Sequence, residues 1–190
     1  VVTQVVVDAA DPAFQSPSKP VGPFYTKAEA NRLTKELGWA VREDAGRGFR
    51  RMVASPRPVE VVEQEDIERL LAGGAVVVAC GGGGIPVVRK DGALAGVAAV
   101  IDKDHASSLL AGAIKAQRLI ITTAVDAVYV NWGQPSQRAL GRVTAAEMRR
   151  HATAKQFPSG SMGPKVEAAL EFLERGGEEV IITDPEHLRE

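Results

Sequence analysis

Residues 75–84 read AVVVACGGGG, and the run decides which kind of fold the chain can adopt. Six small or apolar residues with no polar alternation are the pattern of a strand covered on both faces, as in a parallel sheet between layers of helix. A buried strand is therefore expected over residues 75–80. The four glycines Gly81, Gly82, Gly83 and Gly84 follow at once, where such a strand would end. They lack the Lys-Ser/Thr pair of a P-loop and the spacing of a dinucleotide fingerprint. They do allow close approach of backbone to a flat or charged ligand, at the strand ends where open α/β sheets bind ligands. Cys80, just before them, reads as a small buried residue, since no nearby His in sequence would activate a thiol.

Working outward, a helix is expected over residues 64–72 and a short apolar strand over residues 96–101. The strand leads into DKD, residues 102–104, and a helix with Asp104 as its cap. Ala106, Leu109, Leu110, Ala113 and Ile114 form the helix's apolar stripe. Residues 118–130, RLIITTAVDAVYV, supply a buried strand, a turn at Asp126 and a short strand. The polar loop of Asn131, Trp132, Gly133 and Gln137 either receives a base and ribose or is simply a loop. Thr144 and Glu147 form a capping box for a short helix. Residues 160–174, GSMGPKVEAALEFLE, run from a glycine turn into a helix with Pro164 at its first position and Val166, Ala169, Leu170 and Leu173 on its inner face. Lys165 lies against the positive end of the helix dipole, a conflict that a bound anion would remove. Lys103 repeats the arrangement at the other helix. Two lysines at two helix mouths fit one shared polyanion, and Asp104 can orient them; a cap with flanking surface charges is the plain alternative. A strand, EVIIT, closes the visible sheet. Strands alternating with helices predict an α/β fold with a mostly parallel sheet and right-handed crossovers.

Upstream, residues 4–8 read as a strand, and residues 11–25 as a proline- and glycine-broken connection. Thr26 and Glu29 make a capping box for a helix that Gly38 ends. Residues 38–58 alternate apolar and charged residues around Gly46 and Gly48, like a hairpin. Arg42, Arg47, Arg50 and Arg51 at its tip read as a solvated edge rather than a grip on nucleic acid. Residues 16–58 thus form a subdomain set into a core of residues 1–15 and 59–190. The chain has 190 residues, 45% hydrophobic and 25% charged, with a formal net charge of -1. Such a balance excludes a global field for nucleic acid or anionic membrane, so any anion site is local. One cysteine excludes an internal disulfide framework, and no apolar run reaches membrane-spanning length; a cytoplasmic protein is expected. His105, His151 and His187 have no partners at ligand spacing and read as surface residues. The opening VVTQVVVD resembles the middle of a strand, and the helix start at Asp184 and Pro185 runs only to Glu190, so a piece of a longer protein is expected, with disordered or cleaved termini as the alternative.

SKPVGPFYT, LGWAVREDAGRGFRRMVASPRP, ACGGGGIPVV, GVAAVIDKDHAS, NWGQPSQ and FPSGSMGPKVEAALEF resemble, in this order and spacing, segments of the carbamate kinases within the amino acid kinase superfamily. The resemblance covers essentially the whole chain. It implies a three-layer α/β/α sandwich, a protruding lid near residues 16–58, and a homodimer. It further implies reversible phosphoryl transfer between carbamoyl phosphate and ADP, giving ATP and carbamate with Mg²⁺, in arginine catabolism. By motif, Lys19, Lys103 and Lys165 would surround the phosphoryl group and Asp104 would hold them. Gly81 to Gly84 would line the site by backbone, and Asp126, Tyr129, Asn131 and Met162 would belong to the nucleotide pocket; no residue is assigned to a metal. The family's GGNAL-like and HGNGPQ-like loops have no counterpart here, nor has its closing strand, and Thr123, Ala124, Val125 and Asp126 replace an LTDVD-like turn. Two alternatives stay open: a related phosphotransferase acting on another small acid, and a non-catalytic fragment lacking the N-terminal glycine loops.

Overall fold

Val5, Val6 and Val7 are buried in β1 (Gln4–Val7), the strand against which the largest sheet is built. A computed structural model describes residues 1–44, 46–158 and 160–189. Ala45, within the expected subdomain, and Glu190, at the end of the expected final helical turn, lie outside the described residues. On one side β1 pairs antiparallel with β5 (Pro58–Val61), and on the other it runs parallel to β6 (Ile85–Lys90), which forms a hairpin with β7 (Ala93–Gly96). β8 (Arg118–Thr122) and β11 (Glu179–Thr183) form a separate parallel pair, and β9 (Val128–Val130) with β10 (Arg138–Leu140) an antiparallel one. Among the described residues the chain is α/β with mixed sheets rather than a mostly parallel one. The hairpins β6–β7 and β9–β10, and the return of the chain from residues 16–58 into β5, supply the antiparallel pairs.

Residues 75–80 are not a strand. Val76 is 96% and Val78 78% exposed, and among the described residues this segment joins no sheet. A continuous apolar run states that two faces can be buried; only neighbours make it so. The strand forms instead at Ile85–Lys90, after the glycines, where β1 offers a partner. Residues 97–101 likewise hold no named strand, only the bridge from Ala54 to Ala99.

Helix α2 (Gln64–Ala72) lies as expected, as do α3 (Lys103–Ala113), α4 (Ala145–Thr153) and α5 (Met162–Glu174). α3 and α5 pack together and join the two core sheets. Val5, Val7, Val61, Ile67, Ile101 and Ala106 make one apolar cluster, and Ala111, Leu119, Ile121 and Phe172 a second. α5 buries Val166, Ala168, Ala169 and Phe172, while Leu170 and Leu173 are only partly covered. Contact with both α3 and α4 widens the inner face beyond the single expected stripe.

Residues 19–53 fold apart from these sheets. β2 (Lys19–Tyr25), β4 (Phe49–Val53) and β3 (Val41–Glu43) form a three-stranded antiparallel sheet with α1 (Lys27–Leu37) on it. The reciprocal Thr26–Glu29 capping box starts α1, and Gly38, left-handed at φ 64, ends it. The arginines are used within this excursion. Arg47 and Arg50 pair with Asp44 and lie over Phe24, and Arg51 lies over Trp39.

Candidate active site

The amino end of α3 is where the excursion meets the core. Asp102, not Asp104, is the N-cap: its Oδ1 accepts the Asp104 backbone N–H at 2.9 Å. Its second oxygen, Oδ2, accepts from Nζ of Lys19 at 2.9 Å, so one carboxylate caps the helix and holds a lysine from β2. Asp104, in the first turn and buried, accepts from Nζ of Lys165 at 2.8 Å. Lys19, Asp102, Asp104 and Lys165 are therefore one connected set drawn from three elements. Burial by itself pushes the Asp102 carboxyl up; the Lys19 hydrogen bond and charge, the Asp104 N–H and His105 outweigh it and hold the group below the usual carboxylate range.

Asp104 thus holds one of the expected lysines, and Asp102, which sequence reasoning passed over, holds another. Lys103, exposed at the first position of α3, projects from between the two aspartates in the chain. Lys165 is the fourth residue of α5, since Ser161 precedes the helix and Pro164 occupies its third position rather than its first. A proline is accommodated there because first-turn N–H groups have no partner within the helix.

The glycine turn divides into two halves. A Cβ on Gly83 would run into the Ile101 carbonyl, directly before Asp102, and one on Gly84 would meet Val5 and Thr3. These two glycines seat the turn against the core. Gly81 and Gly82 face open space and remain available to a ligand. Cys80 is buried, its backbone N–H donating to Thr3 Oγ1 at 3.0 Å. Burial and the charge of Glu63 push its thiol up, which suits a structural role.

Beside the amino end of α5 lies a cavity of about 230 Å³, lined by Thr123, Tyr129, Trp132, Phe157, Pro158 and Met162 among others. Tyr129 and Met162 are expected residues that line it. Asp126 does not line it but accepts from the Tyr129 hydroxyl at its Oδ1 at 2.9 Å; that hydrogen bond pushes the phenol up. Asn131 shapes the loop: left-handed at φ 53, it gives its backbone N–H to Gln156 and its side-chain N–H to the Ser136 carbonyl. Trp132, edge-on to Tyr129 at 5.3 Å between centroids, adds an indole to this aromatic wall. Phe157 and Pro158 were not singled out from the sequence; the aromatic–proline pair before GSMGPK was the signal available.

His105 is buried rather than on the surface, between Arg57 and two glutamates of α5. His151 is partly covered beside Glu147, and His187 pairs with Asp184. Among the described residues, no group of three or more His, Cys, Asp and Glu side chains is arranged to hold a metal ion. Asp102 and Asp104 are each committed to a lysine.

Residues 15–184 match the amino acid kinase family. A carbamate kinase of Staphylococcus haemolyticus is 53% identical over 188 residues, covering 98% of this chain and 61% of that one. The carbamate kinase of Thermococcus kodakarensis is 52% identical over 182 residues, covering 96% and 58%. The solved structure of carbamate kinase from Giardia lamblia bound to AMP-PNP is similar at a TM-score of 0.91 and 45% identity, covering 97% of this chain and 58% of that one. The chain thus spans 58–61% of the length of these relatives.

Proposed function

The chain belongs to the amino acid kinase family, and from that premise we propose that it carries the phosphoryl-transfer half-site of a carbamate kinase. The reaction is reversible transfer between carbamoyl phosphate and ADP, giving ATP and carbamate. The observation that carries this reading is the pair of ammonium groups, Lys19 and Lys165, fixed by Asp102 and Asp104 at the amino end of one helix. Phosphoryl transfer asks chiefly for positioning and for stabilisation of charge on the transferring oxygens. Lysines oriented beforehand by carboxylates supply both without reorganising during the reaction. Lys103 joins them from the first turn of α3, and the backbone at Gly81 and Gly82 approaches the phosphates.

The aromatic cavity takes the base of the nucleotide. Its volume is below the roughly 300 Å³ at which sites for whole small ligands begin, so it suits a ring, with ribose and phosphates running out along the cleft toward Lys165. Mg²⁺ travels on the nucleotide phosphates, and no ligand to it is assigned to this chain. The excursion of residues 16–58 acts as a lid over a core of residues 1–15 and 59–190. A three-layer sandwich completed by further N-terminal chain, a homodimer, a cytoplasmic setting and a role in arginine catabolism belong to the same reading. No helix among the described residues is long and apolar enough to cross a membrane.

The test is ATP formation from ADP and carbamoyl phosphate with Mg²⁺, with Lys165→Ala alongside. Loss of one such cation is expected to lower turnover on the order of a hundredfold or more. ATP formation that survives the substitution undamaged would remove Lys165 from the site. Turnover that appears only when the remaining segment of a relative is added would mean that the residues seen here form one part of a divided site. Turnover on a different small acid alone would move the assignment elsewhere in the family.

A further inference from the structure

The approach to β1 and the glycine turn are fastened to each other at a residue that the proposed reaction does not use. Thr3, directly before β1, is buried. Its hydroxyl donates to the Val1 carbonyl at 3.2 Å and accepts the Cys80 N–H at 3.0 Å, so its proton and a lone pair are both in use. Its backbone carbonyl accepts the Ile85 N–H at 2.8 Å. One residue therefore holds the chain immediately before and immediately after the four glycines. It also sets the fit of the last of them: a Cβ on Gly84 would stand 3.1 Å from the Thr3 carbonyl oxygen.

The turn needs such a clamp. Cys80 enters it in the left-handed region at φ 54 and ψ 29, and Gly82 follows at φ 67 and ψ 8. Glycine takes these angles at no steric cost, whereas a residue with a Cβ keeps them only where its surroundings hold it there. Inside the turn the Gly83 N–H returns to the Cys80 carbonyl at 2.9 Å and the Gly84 N–H to the Gly81 carbonyl at 3.2 Å. The N–H groups of Gly81 and Gly82 have no acceptor among the described residues, and a Cβ on either would meet open space. Two donors are thus used within the turn and two are left free. Gly83 rests against Ile101, which directly precedes Asp102, so Thr3 and Ile101 together fix the turn relative to the lysine–aspartate pairs. None of the four glycines lines the aromatic cavity.

We propose that Thr3 is a positioning residue: by clamping both ends of the glycine turn, it holds the Gly81 and Gly82 N–H groups where they receive the phosphate of carbamoyl phosphate. Thr3 touches no substrate and acts through the turn. The turn adjoins the lysine pairs and has no part in the aromatic cavity, so it serves carbamoyl phosphate rather than the nucleotide base. A contact made equally to the bound substrate and to the transition state lowers KM and leaves kcat alone. The inference rests on the reading of the lysines as the phosphoryl site, so two separate readouts test it in the full chain.

The first readout needs no turnover. Cys80 is the chain's single cysteine and is buried, so its alkylation by iodoacetamide reports openings at this turn alone. Thr3→Val keeps the shape of the side chain and removes the hydroxyl, leaving the Cys80 N–H without its acceptor. Alkylation is expected to be about tenfold faster in Thr3→Val than in the wild type, the effect of one buried hydrogen bond. Thr3→Ser, which keeps the hydroxyl, should stay within about twofold of the wild type. In the second readout, KM for carbamoyl phosphate should rise about tenfold in Thr3→Val, with kcat and KM for ADP nearly unchanged, and return toward the wild type in Thr3→Ser. A Thr3 that served global stability alone would lower kcat through the fraction folded and leave KM where it was. Should Thr3→Val fail to fold, residue-resolved amide exchange in the wild type carries the test: relative to intrinsic rates, the Cys80 N–H should exchange about tenfold more slowly than those of Gly81 and Gly82. A Cys80 N–H that exchanges as fast as theirs, or alkylation equal in the wild type and Thr3→Val, overturns the proposal. Faster alkylation with an unmoved KM for carbamoyl phosphate in an active chain overturns it too, since the turn would then hold no substrate. Alkylation that responds as expected in a chain that makes no ATP, alone or with the remaining segment of a relative, would sink the kinase reading and leave the clamp standing. ATP formation abolished by Lys165→Ala, with alkylation and KM both unmoved by Thr3→Val, would do the reverse.

Discussion

Asp102 does two things with one carboxylate, and the two can be separated by a substitution. Asn caps a helix about as well as Asp, so Asp102→Asn keeps the Asp104 N–H satisfied and removes only the charge facing Lys19. A charge-assisted hydrogen bond of this kind, partly buried, is worth about 1 to 2 kcal/mol. The carboxyl is held below its ordinary value in the folded chain. Its contribution is therefore present above the unfolded value, near pH 4, and is lost as pH falls through the folded value. Chemical denaturation should find the wild type more stable than Asp102→Asn at pH 7, with the difference shrinking as the carboxyl is protonated below its ordinary range. A gap that persists at low pH would mean the substitution damaged the cap instead. DKD offered two equally suitable caps, and nothing local ranks them. Asp102 faces Lys19 and Asp104 faces Lys165 because β2 brings its lysine to the cap and α5 brings its lysine to the first turn. His105 escaped sequence reading for the same reason: Arg57, Glu167 and Glu171 are 48, 62 and 66 positions away.

At the scale of elements, the local signals that worked were those whose partners are close in the chain. Thr26 with Glu29 and Gly38 marked helix ends as read, and of the second expected box the half in which Thr144 accepts the Glu147 N–H is seen. Residues 75–80 failed because a buried strand is defined by what covers it. Val76 and Val78 stand exposed, and Ile120 is 48% exposed on β8, which among the described residues pairs only with β11. Extended apolar segments left open in this way are templates for pairing with another chain. Sedimentation velocity should show concentration-dependent association of the 190-residue chain, reduced in the double variant Val76→Lys, Val78→Lys. Its stability should change by no more than about 0.5 kcal/mol, since these side chains bury almost no area. Unchanged association would mean that the open edge is not the contact.

For the whole molecule, the question is what ties the three-stranded excursion to the core. Among the described residues the joins include the Lys19–Asp102 pair, the bridge from Ala54 to Ala99 with the Val100 N–H donating to the Ala54 carbonyl, and Arg57 with Asp11, Glu167 and Glu171. Lys19→Met removes one of them without touching the hydrophobic clusters of the core. Limited proteolysis should cut faster within residues 19–53, with the core fragment and its melting temperature unchanged. Equal cutting rates would show that the excursion is held elsewhere. The sequence by itself determined the helices and the caps of α1 and α4, the apolar stripes that face inward, and the kinds of residue, lysine, aspartate and glycine, from which an anion site is made. These follow from periodicity and short-range hydrogen bonding, which act within a few residues. Only the tertiary structure decided which aspartate takes which lysine, which two glycines are packed and which two stay open, and that a histidine lies buried beneath them. Each of those depends on charges and surfaces brought together from distant parts of the chain, and no local pattern records where they meet.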